Sequence, residues 1–403
     1  MHCQGRSPPA TSSPGGGRPP VEVADVFRAH GETFRQRHTL TPGQLQVMRA
    51  IETCRTDVLG GHVDVCAECG FARPAYNSCR NRHCPKCQFL KQAEWVEQRM
   101  VRIVPTRYFH VVFTLPAALR PLCLRHSKRL YDLLFEAVSR TLLALGQDAR
   151  RLGAQLGFTA VLHTWTRTLE YHPHLHCIVT GGGLSTDGDR WVRAGRGRYL
   201  FPVKVMGALF RGKFLDGLRR LRERGEVDAG DDAAFHRLLD DLYRQSWVVY
   251  AKRPFGGPAH VYQYVGRYTH RIAISNQRLI TFDGGGVRFH TKNGETATLP
   301  PEEFIRRFLL HVLPRAFTKV RHFGLLAPCH VHSRLEQARA LLAPDQPAPE
   351  ALQRTWVERL LALTGVDLAI CPQCGCRSFV ARPLDLWRSG QRAPATPLLE
   401  DTS

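Results

Sequence analysis

Hydrophobic and polar positions alternate along the chain between helix-like and strand-like spacing. Residues 21–53 carry a polar helical pattern, and leucines at helical spacing predict an amphipathic helix over residues 117–152. The aromatic and β-branched run at residues 108–114 predicts a buried strand that ends at Pro116. This first half therefore combines helices with at least one interior strand.

The second half continues the mixture. Strands are predicted at residues 158–165 and 174–180, and the short polar connection between them allows a hairpin that Gly181–Gly183 close. A basic helix is predicted over residues 205–224. The remaining predicted elements are a short strand, a helix and a hairpin at residues 247–251, 260–271 and 279–290. Strands with interposed helices predict an α+β fold with a mostly antiparallel sheet.

Charge separates this chain from an ordinary globular protein. Its 403 residues are 43% hydrophobic and 23% charged, which excludes a wholly disordered or fibrous chain. Lys and Arg total 56 against 35 Asp and Glu, and the net charge of +21 favours nucleic acid or an anionic membrane as partner. We find no apolar run of the roughly 18–20 residues that a membrane-spanning helix needs, and no secretory signal. We therefore expect a cytoplasmic protein with no membrane partner.

Thirteen cysteines concentrate in CxxC pairs with histidines between them, a pattern typical of metal thiolates in a reducing compartment. Cys66/Cys69 and Cys84/Cys87 are separated by 14 residues, close to the spacing of paired knuckles that hold one zinc ion. We expect these four thiolates to bind a structural zinc. The candidates for a second zinc, or for replacing a member of the first set, are Cys54, His62, Cys79 and His83.

Basic residues lie among these cysteines. We expect Arg80, Arg82 and Lys86 to contact DNA phosphates, with a solvated basic face as the alternative.

The carboxyl-terminal segment carries a third CxxC pair, Cys371 and Cys374, with Cys376 close behind. A Pro-rich linker over residues 343–349 precedes it, and it has no obvious second half. The nearest upstream ligands are Cys329, His330 and His332. A small zinc site and free thiols in a flexible tail both remain open.

His174 and His176 flank a leucine in a predicted strand, so alternation places both imidazoles on one face. Two nitrogen ligands in this arrangement can hold a divalent ion, although such pairs are also common as structural histidines. His163, His172 and Glu170 are near enough to complete a coordination sphere that leaves positions for phosphate oxygens or water.

Tyr264 and Tyr268 are four residues apart, which on a helix places both phenols on the same face. Core packing is the ordinary explanation for that spacing. Arg267 and Arg271 flank the pair and Gln263 precedes it, so this segment is too polar for a core stripe alone. Each hydroxyl is then a candidate nucleophile toward a phosphodiester, provided that a cation stabilises the phenolate, whose pKa is ordinarily about 10.

The motifs taken together resemble the rolling-circle insertion-sequence transposases of the IS91 type over residues 25–340. The resemblance rests on the order of a Cys/His-rich block and the motifs at residues 108–116, 163–165, 172–185 and 264–271. It implies an HUH endonuclease core, which is an antiparallel sheet with flanking helices, preceded by a small zinc-binding domain. His174, Leu175 and His176 fill the places of the motif after which that core is named.

The resemblance also implies a metal-dependent transposase that nicks single-stranded DNA at its element's ends and transfers the strand. Mg²⁺ or Mn²⁺ on His174 and His176 would polarise the scissile phosphate. The candidates for the third ligand are, in order, His163, Gln263 and His172.

In the implied reaction Tyr264 or Tyr268 attacks, with Tyr264 as the preferred nucleophile, through a 5′-phosphotyrosine that makes ATP unnecessary for joining. Arg267 and Arg271 are expected to contact the DNA. Two alternatives remain: a plasmid replication initiator or relaxase with the same chemistry, and a zinc-dependent DNA-binding regulator in which the histidines and tyrosines are structural.

We expect four parts along the chain and a location in the bacterial cytoplasm at the nucleoid. They are a disordered tail, a zinc-binding and DNA-contacting domain, a nuclease and strand-transfer domain, and a linker with a tail, at residues 1–20, 21–100, 101–340 and 341–403.

Overall fold

The amino-terminal part of the chain folds into helices around a short hairpin. The computed structural model describes residues 19–195, 200–252, 272–347, 350 and 352–384. The elements of this part are α1 (Val23–Arg37), α2 (Pro42–Thr53), β1 (Gly61–Cys66), β2 (Ala72–Tyr76) and α3 (Pro85–Met100). The helix predicted over residues 21–53 is interrupted because Thr41 caps α2 by accepting the N–H of Gln44, with Pro42 in the first helical position.

An antiparallel sheet forms the centre of the protein. Its strands in spatial order are β11 (Val320–Gly324), β4 (Gln155–Trp165), β5 (Tyr171–Leu184), β3 (Tyr108–Thr114) and β7 (Val249–Ala251), and β6 (Trp191–Arg193) pairs with β5. Each pairing in this sheet is antiparallel, and β4 and β5 form the predicted hairpin. The predicted α+β class is therefore confirmed.

Helices bury one face of this sheet in the main core. They are α4 (Arg120–Arg125), α5 (Ser127–Gln147), α6 (Val203–Glu223) and α7 (Asp232–Arg244). Phe113 of β3 packs edge-on against Phe210 of α6, with 5.3 Å between ring centroids. Leu175 and Cys177 of β5 are fully buried in the same core. Because side chains alternate along a strand, His174 and His176 point to the opposite face.

The opposite face carries a second, smaller apolar cluster. Tyr108, Val161 and Ile178 are fully buried there, and Trp95 and Met100 of α3 pack against them. The cysteine-rich amino-terminal part therefore connects to the sheet through a helix that lies on the face that also carries the histidines.

Smaller sheets complete the described part of the chain. β8 (Leu279–Asp283), β9 (Gly286–His290) and β10 (Thr296–Leu299) form an antiparallel sheet that contains the hairpin predicted over residues 279–290. Phe308 of the next helix, α8 (Pro301–Leu309), packs against Phe27 of α1 with 5.3 Å between ring centroids. The amino-terminal helices therefore share the main core. The last elements are α9 (Arg334–Leu342), α10 (Trp356–Thr364) and β12 (Phe379–Pro383).

The strand β12 returns to the amino-terminal part of the chain. It pairs antiparallel with β1, from His62 opposite Pro383 to Cys66 opposite Phe379, in a sheet of order β12–β1–β2. After residue 340 the sequence pattern predicts a linker and a tail, with either a small zinc site or free thiols at Cys371 and Cys374, so the pairing of β12 with β1 is a finding of the structure.

Some predictions fall outside the described residues. These are the tails at residues 1–18 and 385–403 and the helix over residues 260–271. Within the described ranges, none of the helices combines the length and the apolar character that crossing a bilayer requires.

Candidate functional site

Three histidines meet on one face of the central sheet. His163 of β4 lies directly opposite His174 of β5 in the strand register, and His176 is two residues farther along β5. Their candidate ligand nitrogens all lie within 4.8 Å of one another. The Nε2 atoms of His174 and His176 are 3.1 Å apart. The structure thus brings His163 together with the two histidines of β5, and its role as third metal ligand stays a prediction.

The surroundings of this cluster keep the imidazoles neutral. Burial lowers the pKa of His174 to about 4 and that of His176 well below its ordinary value of 6.5. A neutral imidazole has a lone pair on one ring nitrogen and can therefore bind a cation.

The hydrogen bonds of His174 determine which of its nitrogens is available. Its Nδ1 lies 2.6 Å from the carbonyl oxygen of His172. Because a carbonyl only accepts, Nδ1 carries the proton and donates, and the lone pair is on Nε2. That nitrogen is the one that faces His176.

A fourth histidine, His110 of β3, supports the cluster and was not among the predicted site residues. Its Nε2 is 2.7 Å from Nδ1 of His176, and the two rings stack with 5.0 Å between centroids. His110 is only 2% exposed, and burial lowers its pKa to about 4. If Nδ1 of His176 donates to His110, the lone pair of His176 is on Nε2, as in His174.

The other predicted third ligands have different positions. His172 accepts a hydrogen bond on Nδ1 from Arg120, at 3.3 Å, and it is not among the three clustered histidines. Glu170 is exposed in the connection between β4 and β5. Gln263 lies outside the described residues.

The predicted nucleophiles also lie outside the described residues, as do the basic residues that flank them. They are Tyr264, Tyr268, Arg267 and Arg271. The chain leaves the described part at Lys252, immediately after β7, where the N–H of Lys252 donates to the carbonyl of His110 at 2.9 Å. The charge of Lys252 contributes to the lowered pKa of both His110 and His176. Lys252, the last described residue before the predicted nucleophiles, thus lies beside the histidine cluster.

Among the described residues, eight cysteines form two clusters of four. The first cluster contains Cys54, Cys79, Cys84 and Cys87, and the second contains Cys66, Cys69, Cys371 and Cys374. In the first, Sγ of Cys87 is 3.5 Å from that of Cys54 and 3.6 Å from that of Cys79. Cys54 ends α2 and Cys84 precedes α3, so this cluster joins the two helices that flank the hairpin.

This arrangement corrects the expected zinc set. Cys66 and Cys69 do not share a cluster with Cys84 and Cys87, because β1 turns their knuckle toward the returning carboxyl-terminal segment. The sequence alone could not distinguish these partners, since all the CxxC pairs have the same local pattern.

The two histidines proposed as ligands of a second zinc have other partners. Nε2 of His62 lies 3.2 Å from a carboxylate oxygen of Asp64. His83 accepts the backbone N–H of Leu313 on Nε2 at 3.1 Å and lies 3.0 Å from Asn81 through Nδ1. Neither belongs to a candidate metal cluster among the described residues.

Two of the basic residues of the cysteine block have hydrogen-bond or ion-pair partners within the protein. Arg82 donates to the carbonyls of Phe317 and Pro314, at 2.6 and 2.8 Å. Lys86 pairs with Glu22 at 2.6 Å, where both side chains are largely buried. Arg82 and Lys86 thus have partners within the protein, whereas Arg80 is exposed, and contact of these three residues with DNA phosphates stays a prediction.

Two protein families match this chain, one over the cysteine-rich amino-terminal part and one over the part that contains β4 and β5. Residues 26–115 match a family described as "Transposase zinc-binding domain", and residues 157–334 match one described as "Putative transposase". A Sinorhizobium fredii protein with the latter description is 47% identical over 88% of this chain and 92% of its own length. The transposase for insertion sequence element IS801 of Pseudomonas savastanoi is 27% identical over 83% of this chain and 82% of its own. No solved structure matches. Cys371 and Cys374 lie outside both matched ranges.

Proposed function

The chain belongs to the IS91-type transposases, and we propose that it nicks single-stranded DNA at its element's ends and transfers the strand through a phosphotyrosine. Zinc is a structural component of its amino-terminal domain. The proposal concerns the chemistry that the central sheet performs. A replication initiator or relaxase shares this chemistry, but family membership favours the transposase.

The observation that supports this proposal is the cluster of His163, His174 and His176 on one sheet face. The Nε2 lone pairs of His174 and His176, together with His163, can bind a divalent cation and leave its other coordination positions to phosphate oxygens. Mg²⁺ prefers oxygen ligands, so of the two expected ions this nitrogen set favours Mn²⁺. When bound, the ion supplies positive charge that polarises the scissile phosphate.

The role we propose for His110 is to position His176. It holds Nδ1 of His176 at 2.7 Å and so keeps Nε2 of that ring directed toward His174. The carbonyl of His172 does the same for His174. Partners of this kind fix the tautomer and the orientation of a ligating imidazole before any cation arrives.

The nucleophiles we propose are Tyr264 and Tyr268. A phenolate oxygen attacks phosphorus, the bond to the 3′ oxygen breaks, and that oxygen takes up a proton and becomes a free 3′-hydroxyl. The 5′-phosphotyrosine retains the phosphodiester energy, so joining needs no ATP. The second phenol can cleave or accept the next strand while the first still holds DNA. Tyr264 follows Lys252 by twelve residues, and an extended chain of that length reaches up to roughly 40 Å.

The test is formation of a covalent adduct with single-stranded oligonucleotides that carry either strand of the element's ends. We expect an adduct that depends on Mn²⁺ or Mg²⁺, that is absent in Tyr264→Phe/Tyr268→Phe, and that maps to a peptide containing one of these tyrosines. Tyr250→Phe is the matched control, because Tyr250 is an exposed tyrosine on β7.

An adduct that persists in the double variant would refute the nucleophiles. An adduct that forms equally well without a divalent ion, or with His174→Ala/His176→Ala, would refute the role of the histidine cluster. Sequence-specific DNA binding without any adduct would support a non-enzymatic regulator.

A further inference from the structure

The second cysteine cluster joins the two ends of the described chain. Cys66 is the last residue of β1 and Cys69 follows it, whereas Cys371 and Cys374 precede β12. We propose that these four thiolates hold a second structural zinc ion, which fastens the carboxyl-terminal segment to the amino-terminal domain. This inference does not depend on the strand-transfer chemistry.

The sulfur positions fit a tetrahedral zinc site. Sγ of Cys66 is 3.6 Å from that of Cys374, and Sγ of Cys69 is 3.6 Å from that of Cys371. Zinc–sulfur bonds of about 2.3 Å imply sulfur–sulfur edges of roughly 3.8 Å in a tetrahedron. These spacings also match those of the first cluster, at 3.5 and 3.6 Å.

The two CxxC knuckles share a positive-φ glycine and two backbone hydrogen bonds, although more than 300 residues separate them. In each, the glycine after the second cysteine has a positive φ, of 72° at Gly70 and 76° at Gly375. Each of these glycines donates its N–H to the carbonyl of the first cysteine, at 3.0 and 2.9 Å. Such turns orient both thiols of a knuckle toward one point.

The first cysteine of each knuckle makes a further matching bond. The N–H of Cys66 donates to the carbonyl of Phe71, and that of Cys371 to the carbonyl of Cys376, both at 2.8 Å. In each case the acceptor lies five positions ahead. Two copies of one turn that face each other are the arrangement by which paired knuckles supply four thiolates.

The protein contacts beside this cluster are mostly polar. Arg73 of β2 donates to the carbonyl of Leu368 at 2.6 Å, and its guanidinium lies 4.4 Å from the ring centroid of Phe379. Neither β2 nor β12 contains a fully buried side chain. A sheet with so small a core gains its stability from bound metal, because the free energy of binding becomes free energy of folding.

Cys376 provides a fifth thiol at the same place. Its Sγ is 3.1 Å from that of Cys66 and 3.3 Å from that of Cys374, closer than a tetrahedral edge. Because Sγ of Cys376 lies next to those of Cys66 and Cys374, Cys376 can take the place of Cys374 as a zinc ligand when Cys374 is removed. A variant that removes the second zinc must consequently change Cys371, Cys374 and Cys376 together.

The test is the zinc content of the full chain, measured by native mass spectrometry on protein expressed with zinc. To remove the histidine cluster as a competing zinc site, all proteins carry His174→Ala/His176→Ala, and with wild-type cysteines we expect two zinc ions, one for each cysteine cluster. The triple variant Cys371→Ser/Cys374→Ser/Cys376→Ser should retain one. Cys329→Ser is the matched control, since Cys329 is exposed and belongs to neither cluster. A triple variant that keeps two ions, or a protein with wild-type cysteines that binds one, overturns the proposal.

A second measurement avoids variants that fail to fold. A protease site inserted between Asp345 and Gln346 would cut the chain between α9 and α10. We expect the carboxyl-terminal fragment to stay with the rest of the zinc-loaded protein and to separate at least tenfold faster after chelation. Equal separation rates with and without chelator contradict a zinc that joins the two ends.

Discussion

The histidine cluster and the second cysteine cluster both gather metal ligands, but the fold assembles them in opposite ways. The histidines lie on adjacent strands of a sheet whose other face is buried in the main core. The cysteines of the second cluster come from remote segments, and two of the three strands beside them lack any fully buried side chain.

The fold holds the histidine cluster in place before any ion binds, whereas an ion at the second cysteine cluster is needed to hold the fold around it. Burial of apolar residues such as Phe113 and Leu175 holds β3, β4 and β5 in register without any ion. The hairpin β1–β2 and the strand β12 have no comparable core. We therefore expect metal removal to disable one region without unfolding it, and to unfold the other.

The largest expected effect is that of a strong chelator on the whole chain. We predict that residues 54–87 and 371–383 become accessible to protease and lose amide protection, because zinc binding contributes their folding free energy. Amide exchange followed by mass spectrometry measures both regions in one sample. The strands β4 and β5 are the internal control and should keep their protection. If β4 and β5 lost as much protection as residues 54–87 and 371–383, the contrast between the two kinds of site would be refuted.

An intermediate effect is expected for His110→Ala. Without its partner, His176 loses the bond that fixes its tautomer, and we predict that Mn²⁺ affinity and adduct formation fall about 10- to 100-fold. Calorimetric Mn²⁺ titration measures the first and adduct yield the second. Because His110→Gln can still accept at that position, it should restore part of the affinity.

His322→Ala is the matched control for this variant. His322 is also a histidine of the central sheet, where its Nδ1 lies 2.9 Å from the hydroxyl of Thr159. It is not part of the histidine cluster. If both variants weaken Mn²⁺ binding equally, His110 acts through general stability and does not position His176.

The smallest expected effect is that of acid on the main core. Burial lowers the pKa of His311 to about 4, so its unfolded form takes up a proton at higher pH than its folded form does. Stability that is fully present above about pH 6.5 is therefore lost as the pH falls toward about 4.

His311→Gln should flatten this dependence. Glutamine can still donate to the carbonyl of Leu169 and accept from Thr164, the partners of His311. We predict that its melting temperature falls by about 2–4 °C less than that of the wild type between pH 7 and pH 5. Parallel melting curves for the two proteins would show that other groups control acid sensitivity.

Much of the central sheet could be predicted because its signals are local. An aromatic and β-branched run predicted the strand at residues 108–114, and strands were also predicted at 158–165 and 174–180. Alternation then placed His174 and His176 on one face. His163 followed because a short connection makes its strand the neighbour of theirs. The strands β4 and β5 are neighbours both along the chain and in the sheet, so a local pattern was enough to predict their contact.

The features that could not be predicted depend on long-range pairing. His110 reaches His176, 66 residues away, only because β3 pairs with β5 in one particular register. The choice among CxxC partners depends likewise on the return of β12 to β1. Arg82 and Lys86 resemble exposed cations in the sequence. In the structure Arg82 donates to two carbonyls and Lys86 pairs with a carboxylate, all from distant segments.

The pairing of β12 with β1 has a consequence for biosynthesis. Cys371 follows Cys69 by 302 residues, so the ribosome completes the whole central sheet before the last strand of the amino-terminal module emerges. Until then β1 presents an unpaired edge that is open to other chains. Prematurely terminated translation products should consequently aggregate or be degraded, so that only full-length polypeptides accumulate.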